Sequence, residues 1–219
     1  MKILASDYDY TLHFKDGIKP KDLEMIQTFR SNGGLFGLVS GRAISSLLHE
    51  VHKYQIPYDF LIGVNGGFIL DNGGHEIFKT TISTKTAKAL IQYLNKHTPQ
   101  SYTLHNGYDL ARKIFTEDFK LNIDLEFKDI DTLFEKPVSG FFINYKTEED
   151  AMLAQLDMNK KFPDVYAQQN ANFVDITAPN VNKARGIQKL IDHENWGHDV
   201  WVIGDGQNDK EMIENFNSF

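Results

Sequence analysis

The chain begins with a short apolar run that ends in two acidic residues, Lys2-Ile3-Leu4-Ala5-Ser6-Asp7-Tyr8-Asp9-Tyr10-Thr11. An apolar run of this length with polar residues after it predicts a buried strand whose carboxyl end carries the acidic pair. Pro20 then starts a segment with apolar residues at helical spacing, and Asn32-Gly33-Gly34 stops it. The sequence therefore predicts a first strand–loop–helix unit with Asp7 and Asp9 in its loop.

The same alternation continues along the next fifty residues. A second strand is predicted at Leu35–Val39, a helix at 43–55 and a third strand at 60–64. Two short apolar runs, 68–70 and 76–78, flank Asp71-Asn72-Gly73-Gly74 and predict a β-hairpin. Alternating strands and helices favour an α/β fold with a doubly wound, Rossmann-like parallel sheet.

From about residue 83 this rhythm is replaced by helices and hairpin-like strands, and it resumes at residue 182 with a helix and a strand at 199–203. The change predicts an α+β domain inserted into the sheet domain. We place the catalytic core at 1–81 and 179–219 and the inserted domain at 82–178. Six aromatic residues are expected to form a small core in the insertion: Tyr102, Phe115, Phe119, Phe127, Phe141 and Phe142.

Composition excludes several classes of protein. The 219 residues are 41% hydrophobic and 24% charged, with a formal net charge of -7 and no cysteine. The negative charge disfavours nucleic acid as a partner, and the lack of cysteine excludes disulfides and thiolate metal sites. The sequence has no run of ~18 apolar residues, so no membrane span is predicted. Asp7 follows too closely for the apolar stretch of a signal peptide to precede it. We expect no membrane partner and a cytoplasmic location; the oligomeric state is left open.

Asp7 and Asp9 are the first candidate functional residues. Two carboxylates at i and i+2 at a strand end repel each other unless a cation or a shared proton is present, and hard cations prefer oxygen ligands. The pair is therefore typical of a Mg²⁺ site, although an isolated pair of this kind also occurs as solvated aspartates in loops. The eight histidines show no ligand spacing, so zinc is not indicated.

Other polar residues follow the other predicted strands and start the last long helix. Asp205 and Asp209 follow the last strand, and Ser40-Gly41-Arg42 follows the second. The carboxyl ends of parallel strands share one edge of a sheet, so these side chains should meet Asp7 there. Lys183, at the start of a helix, can neutralise an anion at the same edge. Carboxylates, a hydroxyl and a lysine are the parts of a phosphoryl-transfer site.

Taken together, these motifs resemble the haloacid dehalogenase superfamily, namely Asp-x-Asp-x-Thr after the first strand, Ser-Gly-Arg after the second, a distant Lys and a final Gly-Asp-x-x-Asn-Asp. The insertion between Ser40 and Lys183 resembles the α+β (C2-type) cap of the Cof-type phosphatases in that superfamily. The stretch Val64-Asn65-Gly66-Gly67 is similar to a stretch of the same subgroup.

The resemblance implies a role for each matching residue. Asp7 would be the nucleophile that forms an aspartyl phosphate, and Asp9 the general acid and then base. The Asp7 carboxylate, the Asp9 backbone carbonyl and Asp205 would hold Mg²⁺, with Asp209 as support or a further ligand. The transferring phosphoryl group would be bound by Tyr8, Ser40, Gly41, Lys183 and Asn208. Tyr10 departs from the pattern, because glycine is usual at its position.

The predicted function is a Mg²⁺-dependent phosphatase acting on a small phosphorylated metabolite: a sugar phosphate, a nucleotide or a cofactor precursor. A phosphotransferase or phosphomutase with the same nucleophile remains open, as does a non-hydrolytic module that binds a phosphorylated ligand. A response-regulator receiver also uses carboxylates, Mg²⁺ and a lysine. Its phospho-accepting Asp follows the third strand, however, and none follows residues 60–64 here.

Overall fold

A computed structural model describes residues 1–116 and 125–218. The chain divides into two compact units, one formed by Met1–Lys79 with Val181–Phe219 and the other by Thr80–Asn180. Phe119, one of the six aromatic residues expected in the inserted core, lies outside the described residues.

The strands, in chain order, are β1 (Ile3–Ser6), β2 (Leu35–Val39), β3 (Phe60–Gly63), β4 (Phe68–Asp71), β5 (Glu76–Lys79), β6 (Ser101–His105), β7 (Leu110–Ile114), β8 (Gly140–Asn144), β9 (Tyr166–Asn170), β10 (Phe173–Thr177), β11 (Val200–Ile203) and β12 (Asn217–Ser218). The α-helices are α1 (Pro20–Ser31), α2 (Ile44–Tyr54), α3 (Thr84–His97), α4 (Ile130–Leu133), α5 (Glu148–Lys161), α6 (Lys183–Glu194) and α7 (Lys210–Asn215). Two 3₁₀ turns, Val64–Gly66 and Gln207–Asp209, lie directly after β3 and shortly after β11.

The first unit is built on one sheet in the order β12-β11-β1-β2-β3-β4-β5. The five strands from β12 to β3 are parallel, and β4 and β5 are added as the antiparallel hairpin that the Asp71–Gly74 turn predicts. The predicted doubly wound α/β fold is confirmed. Because β1 and β11 are neighbours in this order, their carboxyl ends meet near the middle of one sheet edge.

Alternate residues of the strands supply two separate cores, one on each face of this sheet. Ile3 and Ala5 pack with Ile187 and Leu190 of α6, whereas Phe36 and Leu38 pack with Ile44 and Leu47 of α2. Successive side chains of a strand point to opposite faces, so a strand covered on both faces is apolar throughout. This double burial explains why β1, β2 and β3 have nearly continuous apolar sequences.

The second unit contains an antiparallel sheet in the order β7-β6-β8-β10-β9. Its core holds Tyr102 and Phe141, two of the predicted aromatics, together with Leu90 and Leu94 of α3 and Met158 of α5. Ser83 and Thr147 cap α3 and α5 by accepting a backbone N–H from the third residue of each helix. The unit is the α+β module that the loss of strand–helix rhythm predicts.

Strand β9 lies at an edge of this sheet, and its outward backbone groups are bonded by side chains of α5. Asn159 donates Nδ2 to the Ala167 carbonyl at 2.8 Å and accepts the Ala167 N–H at 2.8 Å, and Gln155 accepts the Gln169 N–H. An exposed strand edge is a template for pairing with other chains. The two amide side chains, one helical turn apart, close this edge.

Replacing Asn159 by Ala is expected to lower the free energy of unfolding by about 1–3 kcal/mol, because both backbone groups of the buried Ala167 lose their partner. Urea unfolding of the purified chain measures the change. Gln188→Ala is the matched control, since Gln188 is bonded only to exposed Asp192 in the same kind of helix and should change stability by less than about 0.5 kcal/mol. Equal losses in the two variants would contradict this account of the edge.

Three short elements were not predicted from the sequence: α4, α7 and β12. Each has six residues or fewer, which is too short to show a hydrophobic period. Within the described parts of the chain, no helix is both long and apolar enough to cross a bilayer.

Candidate active site

Asp7 and the second acidic loop come together because β1 and β11 are parallel neighbours in register. Ser6 lies beside Ile203, and the Asp7 N–H donates to the Ile203 carbonyl at 2.9 Å. Asp7 is therefore the first residue beyond one strand, and Asp205 is the second residue beyond the other. The predicted meeting of these acidic residues follows from the register of two strands.

Three carboxylates form a compact group at this edge: Asp7, Asp205 and Asp209 each offer an oxygen, and these oxygens lie within 4.8 Å of one another. No other such group of acidic or histidine ligands occurs in residues 1–116 and 125–218. Asp7 and Asp209 are buried, at 6% and 0% exposure, whereas Asp205 is exposed. Like charges this close are stabilised by a cation or by a shared proton, and oxygen ligands suit a hard metal ion. The acidic cluster therefore fits a metal ion.

Lys183 supplies one positive charge to this cluster. Its Nζ donates to Asp7 Oδ1 and to Asp209 Oδ1, both at 2.6 Å, and the side chain is 1% exposed. Burial works against the charged ammonium, but the attraction of Asp7 and Asp209 outweighs it and raises the pKa of Lys183. The lysine is therefore a cation held between two buried carboxylates.

Burial raises the pKa of Asp7 to about 6. Lys183 acts in the opposite direction by attracting the charged carboxylate, and Asp209 adds to the rise by repelling it. The backbone N–H of Tyr8 also hydrogen-bonds the Asp7 carboxylate and favours its charged form. An added cation at the cluster would likewise favour the charged carboxylate, which is the nucleophilic form of an aspartate.

The loop after β11, which contains Asp205 and Asp209, is stabilised by hydrogen bonds to Asp209. Its Oδ2 accepts the backbone N–H groups of Asp205 and Gly206 at 3.1 and 2.8 Å. A Cβ on Gly204 would lie 2.5 Å from Asp209 Cγ, so only glycine leaves room for that carboxylate. Thr11 in turn donates its hydroxyl to Asp205 Oδ1 at 2.7 Å. The loop after β1 and the loop after β11 are thus joined by a direct hydrogen bond.

Lys183 is placed by the start of α6. The Asn182 side chain caps the helix by accepting the Arg185 N–H, so the helix begins at the lysine. A Cβ on Gly66 would lie 2.1 Å from the Asn182 carbonyl oxygen, and a Cβ on Gly186 would lie 2.6 Å from Gly66 Cα. These two glycines allow the first turn of α6 to contact the backbone after β3.

Gly186→Ala separates packing from helix propensity, because the two effects have opposite signs. By propensity alone, alanine in a helix interior is favoured over glycine by about 1 kcal/mol. We expect the substitution to destabilise the chain by about 1–3 kcal/mol instead, since the new methyl group meets backbone that cannot yield. Thermal unfolding measures the effect. Gly197→Ala is the control, because a Cβ there meets nothing within 4 Å. A rise in stability for Gly186→Ala would contradict the close approach.

The predicted phosphate-binding residues Ser40 and Asn208 lie in a connected group of buried polar residues. The backbone N–H of Asn65 donates to the Ser40 carbonyl at 3.0 Å, and Asn208 Nδ2 donates to Asn65 Oδ1 at 3.0 Å. Ser40 Oγ accepts the Arg42 N–H at 3.2 Å across Gly41. Ser40 and Asn208 are 1% and 7% exposed. Asn65 is left-handed, with a φ of 51°, and was not predicted as a site residue.

Asp9 and Tyr8 are positioned differently from Asp7. Both oxygens of Asp9 accept from Arg42, at 2.7 and 2.9 Å, and Asp9 is not one of the three clustered carboxylates. The Tyr8 ring is fully buried in the core beside α2, and its hydroxyl donates to Glu50 at 2.6 Å. The Tyr8 side chain is therefore engaged in the core, and its backbone N–H is the group that faces Asp7.

Arg42, Glu50 and Thr11 are polar residues at the site that sequence reasoning did not single out as site residues. Arg42 belongs to the quoted Ser-Gly-Arg turn directly before α2, and Glu50 follows it by eight residues, about two turns along that helix. That spacing is the signal from which Glu50 could have been found. Thr11 is part of the quoted Asp-x-Asp-x-Thr motif, but nothing in the sequence indicates its bond to Asp205.

Tyr10 has a φ of 61°, in the left-handed region, and its side chain is exposed. Glycine adopts this conformation freely, which explains physically why glycine is usual at this position of the motif. The tyrosine retains the turn, since its N–H donates to the His13 carbonyl at 2.8 Å. A non-glycine residue held this way costs about 1–3 kcal/mol.

The chain has a parallel sheet, an acidic cluster at the carboxyl edge of that sheet and a buried lysine. These are features of the α/β enzymes that carry an aspartate directly after the first strand. The chain belongs to the haloacid dehalogenase-like hydrolases, because the model of that family matches residues 4–218. The resemblance inferred from the motifs is confirmed.

Two similar proteins are matched over nearly the whole chain. An uncharacterised protein of Mycoplasma capricolum is 29% identical over 238 residues, which cover 98% of this chain and 88% of that protein. A HAD/COF-like hydrolase from Plasmodium vivax has a TM-score of 0.81 at 22% identity, over 99% of this chain and 82% of that chain.

Two solved phosphatases also share the fold. A HAD phosphatase from Bacteroides thetaiotaomicron has a TM-score of 0.79 at 20% identity, over 99% of this chain and 81% of that chain. A HAD subclass IIB sugar phosphatase has a TM-score of 0.78 at 22% identity, over 99% and 85%. At these identities the likeness establishes a common fold.

Proposed function

We propose that this chain is a Mg²⁺-dependent phosphatase that removes phosphate from a small phosphorylated metabolite through an aspartyl phosphate on Asp7. One observation carries the proposal: the buried Asp7 carboxylate lies 2.6 Å from the buried ammonium of Lys183, in a cluster with Asp205 and Asp209. Charge is concentrated where a phosphoryl group and a hard cation would be bound together. Family membership and the phosphatase neighbours support the same reaction class.

The metal would be held by Asp7 and Asp205, with the Asp9 backbone carbonyl and with Asp209 as support. This donor set consists of hard oxygens, which suits Mg²⁺. When bound, Mg²⁺ would neutralise phosphate charge and so permit attack by an anionic carboxylate. Lys183, fixed between Asp7 and Asp209, would orient the nucleophile and contribute a second positive charge.

The chemistry needs two proton movements, which we assign to Asp9. In the first step an Asp7 oxygen bonds to phosphorus, the bond to the leaving oxygen breaks, and Asp9, which must enter this step protonated, gives that oxygen its proton. In the second step Asp9 takes a proton from water as the water oxygen bonds to phosphorus and the Asp7–phosphate bond breaks. Ser40, Gly41, Asn208 and the Tyr8 N–H would bind the phosphoryl oxygens meanwhile.

The substrate class proposed is a sugar phosphate, a nucleotide or a phosphorylated cofactor precursor. The division into a catalytic core and a cap at 82–178 and the cytoplasmic location stay predictions. A phosphotransferase or mutase would use the same Asp7 and differ only in the acceptor of the phosphoryl group.

Phosphate release from a panel of phosphomonoesters, with Mg²⁺ and with excess chelator, tests the proposal. We expect turnover of at least one alkyl phosphate that requires Mg²⁺ and returns when Mg²⁺ is restored. Transfer to an added sugar in place of phosphate release would favour the phosphotransferase. The absence of both reactions across the panel, with the metal present, would contradict the proposal.

A further inference from the structure

The side chain of Asp9 is partly exposed yet fixed by a two-point ion pair. Arg42 donates Nη2 to Asp9 Oδ1 at 2.7 Å and Nε to Asp9 Oδ2 at 2.9 Å, while the Asp9 side chain is 43% exposed. A bidentate guanidinium–carboxylate pair fixes the plane of the carboxylate as well as its position. Without this pair, an aspartate exposed to this degree could exchange among several rotamers.

Arg42 is itself held from the opposite side by α2. Its Nη1 donates to Ser46 Oγ at 3.3 Å and to Glu50 Oε1 at 3.4 Å. Ser46 and Glu50 follow Arg42 at spacings of four and eight, so they lie on one face of the helix. The guanidinium is therefore positioned by a rigid element before it contacts Asp9.

Tyr8 connects Arg42 and Glu50 to the loop that carries Asp7 and Asp9. The guanidinium carbon of Arg42 lies 5.0 Å from the centre of the Tyr8 ring, and the Tyr8 hydroxyl donates to Glu50 Oε2 at 2.6 Å. The Tyr8 ring is also stacked on His13, with 5.2 Å between ring centres. Because Tyr8 lies between Asp7 and Asp9 in the chain, the residues that anchor Arg42 also anchor the backbone between the two aspartates.

We propose that Arg42 is a positioning residue for Asp9, which it holds in a single orientation for proton transfer, with Glu50 and Tyr8 fixing Arg42 in turn. This inference rests on the proposed function for the role of Asp9 as general acid. Arg42 acts on the reaction through Asp9, so its loss should slow the steps in which Asp9 gives or takes a proton.

Leaving groups of different basicity separate this role from a structural one. An alkoxide must be protonated as it leaves, whereas p-nitrophenolate leaves without help, so only alkyl phosphates need Asp9 as an acid in the first step, which is the step that kcat/KM reports. We expect Arg42→Met to lower kcat/KM for an alkyl phosphate by about 10–100-fold and for p-nitrophenyl phosphate by less than about threefold. Arg42→Lys keeps one hydrogen bond and should lose less. In an Asp9→Ala background, Arg42→Met should have no further effect on the alkyl phosphate.

A matched control exists in the same unit, where Arg30 makes a bidentate pair with Asp59, at 2.7 Å for both contacts. Arg30→Met should shift the unfolding midpoint at least as much as Arg42→Met and leave the ratio of kcat/KM for the two substrates unchanged. An equal loss for both substrates in Arg42→Met would overturn the proposal. A further loss on the Asp9→Ala background would also overturn it.

Urea unfolding midpoints test the holding of Asp9 without any turnover. Arg42→Met should lower the midpoint in the wild-type background and have a clearly smaller effect in Asp9→Ala. Additive shifts would overturn the proposal even if the chain releases phosphate normally. If the shifts are non-additive but the wild-type chain releases no phosphate, the result would support the ion pair that holds Asp9. It would then count only against the proposed function.

Discussion

Asp7→Asn is expected to reduce phosphate release by about 10⁴-fold or more while leaving the chain folded. The amide has nearly the shape of the carboxylate but is not a nucleophile, so no aspartyl phosphate can form. Lys183 keeps its bond to Asp209, so the cluster retains a paired cation. Steady-state phosphate release at saturating Mg²⁺ measures the effect.

Asp7→Asn should also change the stability of the chain, and the sign of that change follows from the pKa of Asp7 in the folded and unfolded states. The pKa of Asp7 is raised by burial to about 6 in the folded chain, so the folded state binds this proton more tightly than the unfolded state does. The stability that this proton contributes is present below the unfolded pKa and is lost as pH rises through about 6. At pH 8 without metal, Asp7→Asn should therefore be as stable as wild type or more stable, by up to about 3 kcal/mol.

Asp16→Asn is the control for both expectations, because it is the same substitution at an exposed position of the same loop. It should leave phosphate release and the unfolding midpoint unchanged. If Asp7→Asn retained more than about a tenth of the wild-type rate, Asp7 would not be the nucleophile.

Lys183→Met is expected to have the largest effect on stability. The substitution leaves Asp7 and Asp209 buried and facing each other with no ammonium between them, and removing one partner of a buried ionic group costs about 3–5 kcal/mol. For a chain of this length that loss lowers Tm by roughly 10 °C. Activity should fall with it, because the orientation of the Asp7 carboxylate is lost. Calorimetry without added metal measures the shift.

Two comparisons show whether the charge of Lys183 is the cause. Lys189→Met, the same change at an exposed position of α6, should shift Tm by no more than a degree or two. Adding Asp209→Asn to Lys183→Met should recover part of the lost stability, since it removes one of the unpaired charges. A Tm for Lys183→Met that equals the value for Lys189→Met would show that the cluster does not need its cation.

Much of the fold could be predicted because β1, β2 and β3 are apolar on both faces and are separated by clear helix start and stop signals. The hairpin at β4 and β5 followed from one turn, Asp71-Asn72-Gly73-Gly74. The elements that were not predicted are short. Helix α7 and strand β12 together span residues 210–218 and show no hydrophobic period. Their positions depend on packing against β11, which a local pattern does not encode.

The candidate site was predictable to the extent that strand ends determine it. Asp7, Asp205 and Lys183 come together because β1 and β11 are neighbours and α6 begins at the lysine. The ion pair of Asp9 with Arg42 and the burial of Tyr8 against Glu50 depend on contacts between residues 33 to 42 positions apart. Such contacts are set by how α2 packs beneath the loop after β1, which the motif alone does not reveal.

The central claim is that Asp7 carries the phosphoryl group during turnover. Mass spectrometry of peptides from the chain, quenched in acid during turnover of an alkyl phosphate with Mg²⁺, tests it most directly. We expect one phosphate on the peptide that contains Asp7, lost on treatment with hydroxylamine and absent from Asp7→Asn. Phosphate on another residue, or none while the chain demonstrably turns over substrate, would contradict the claim.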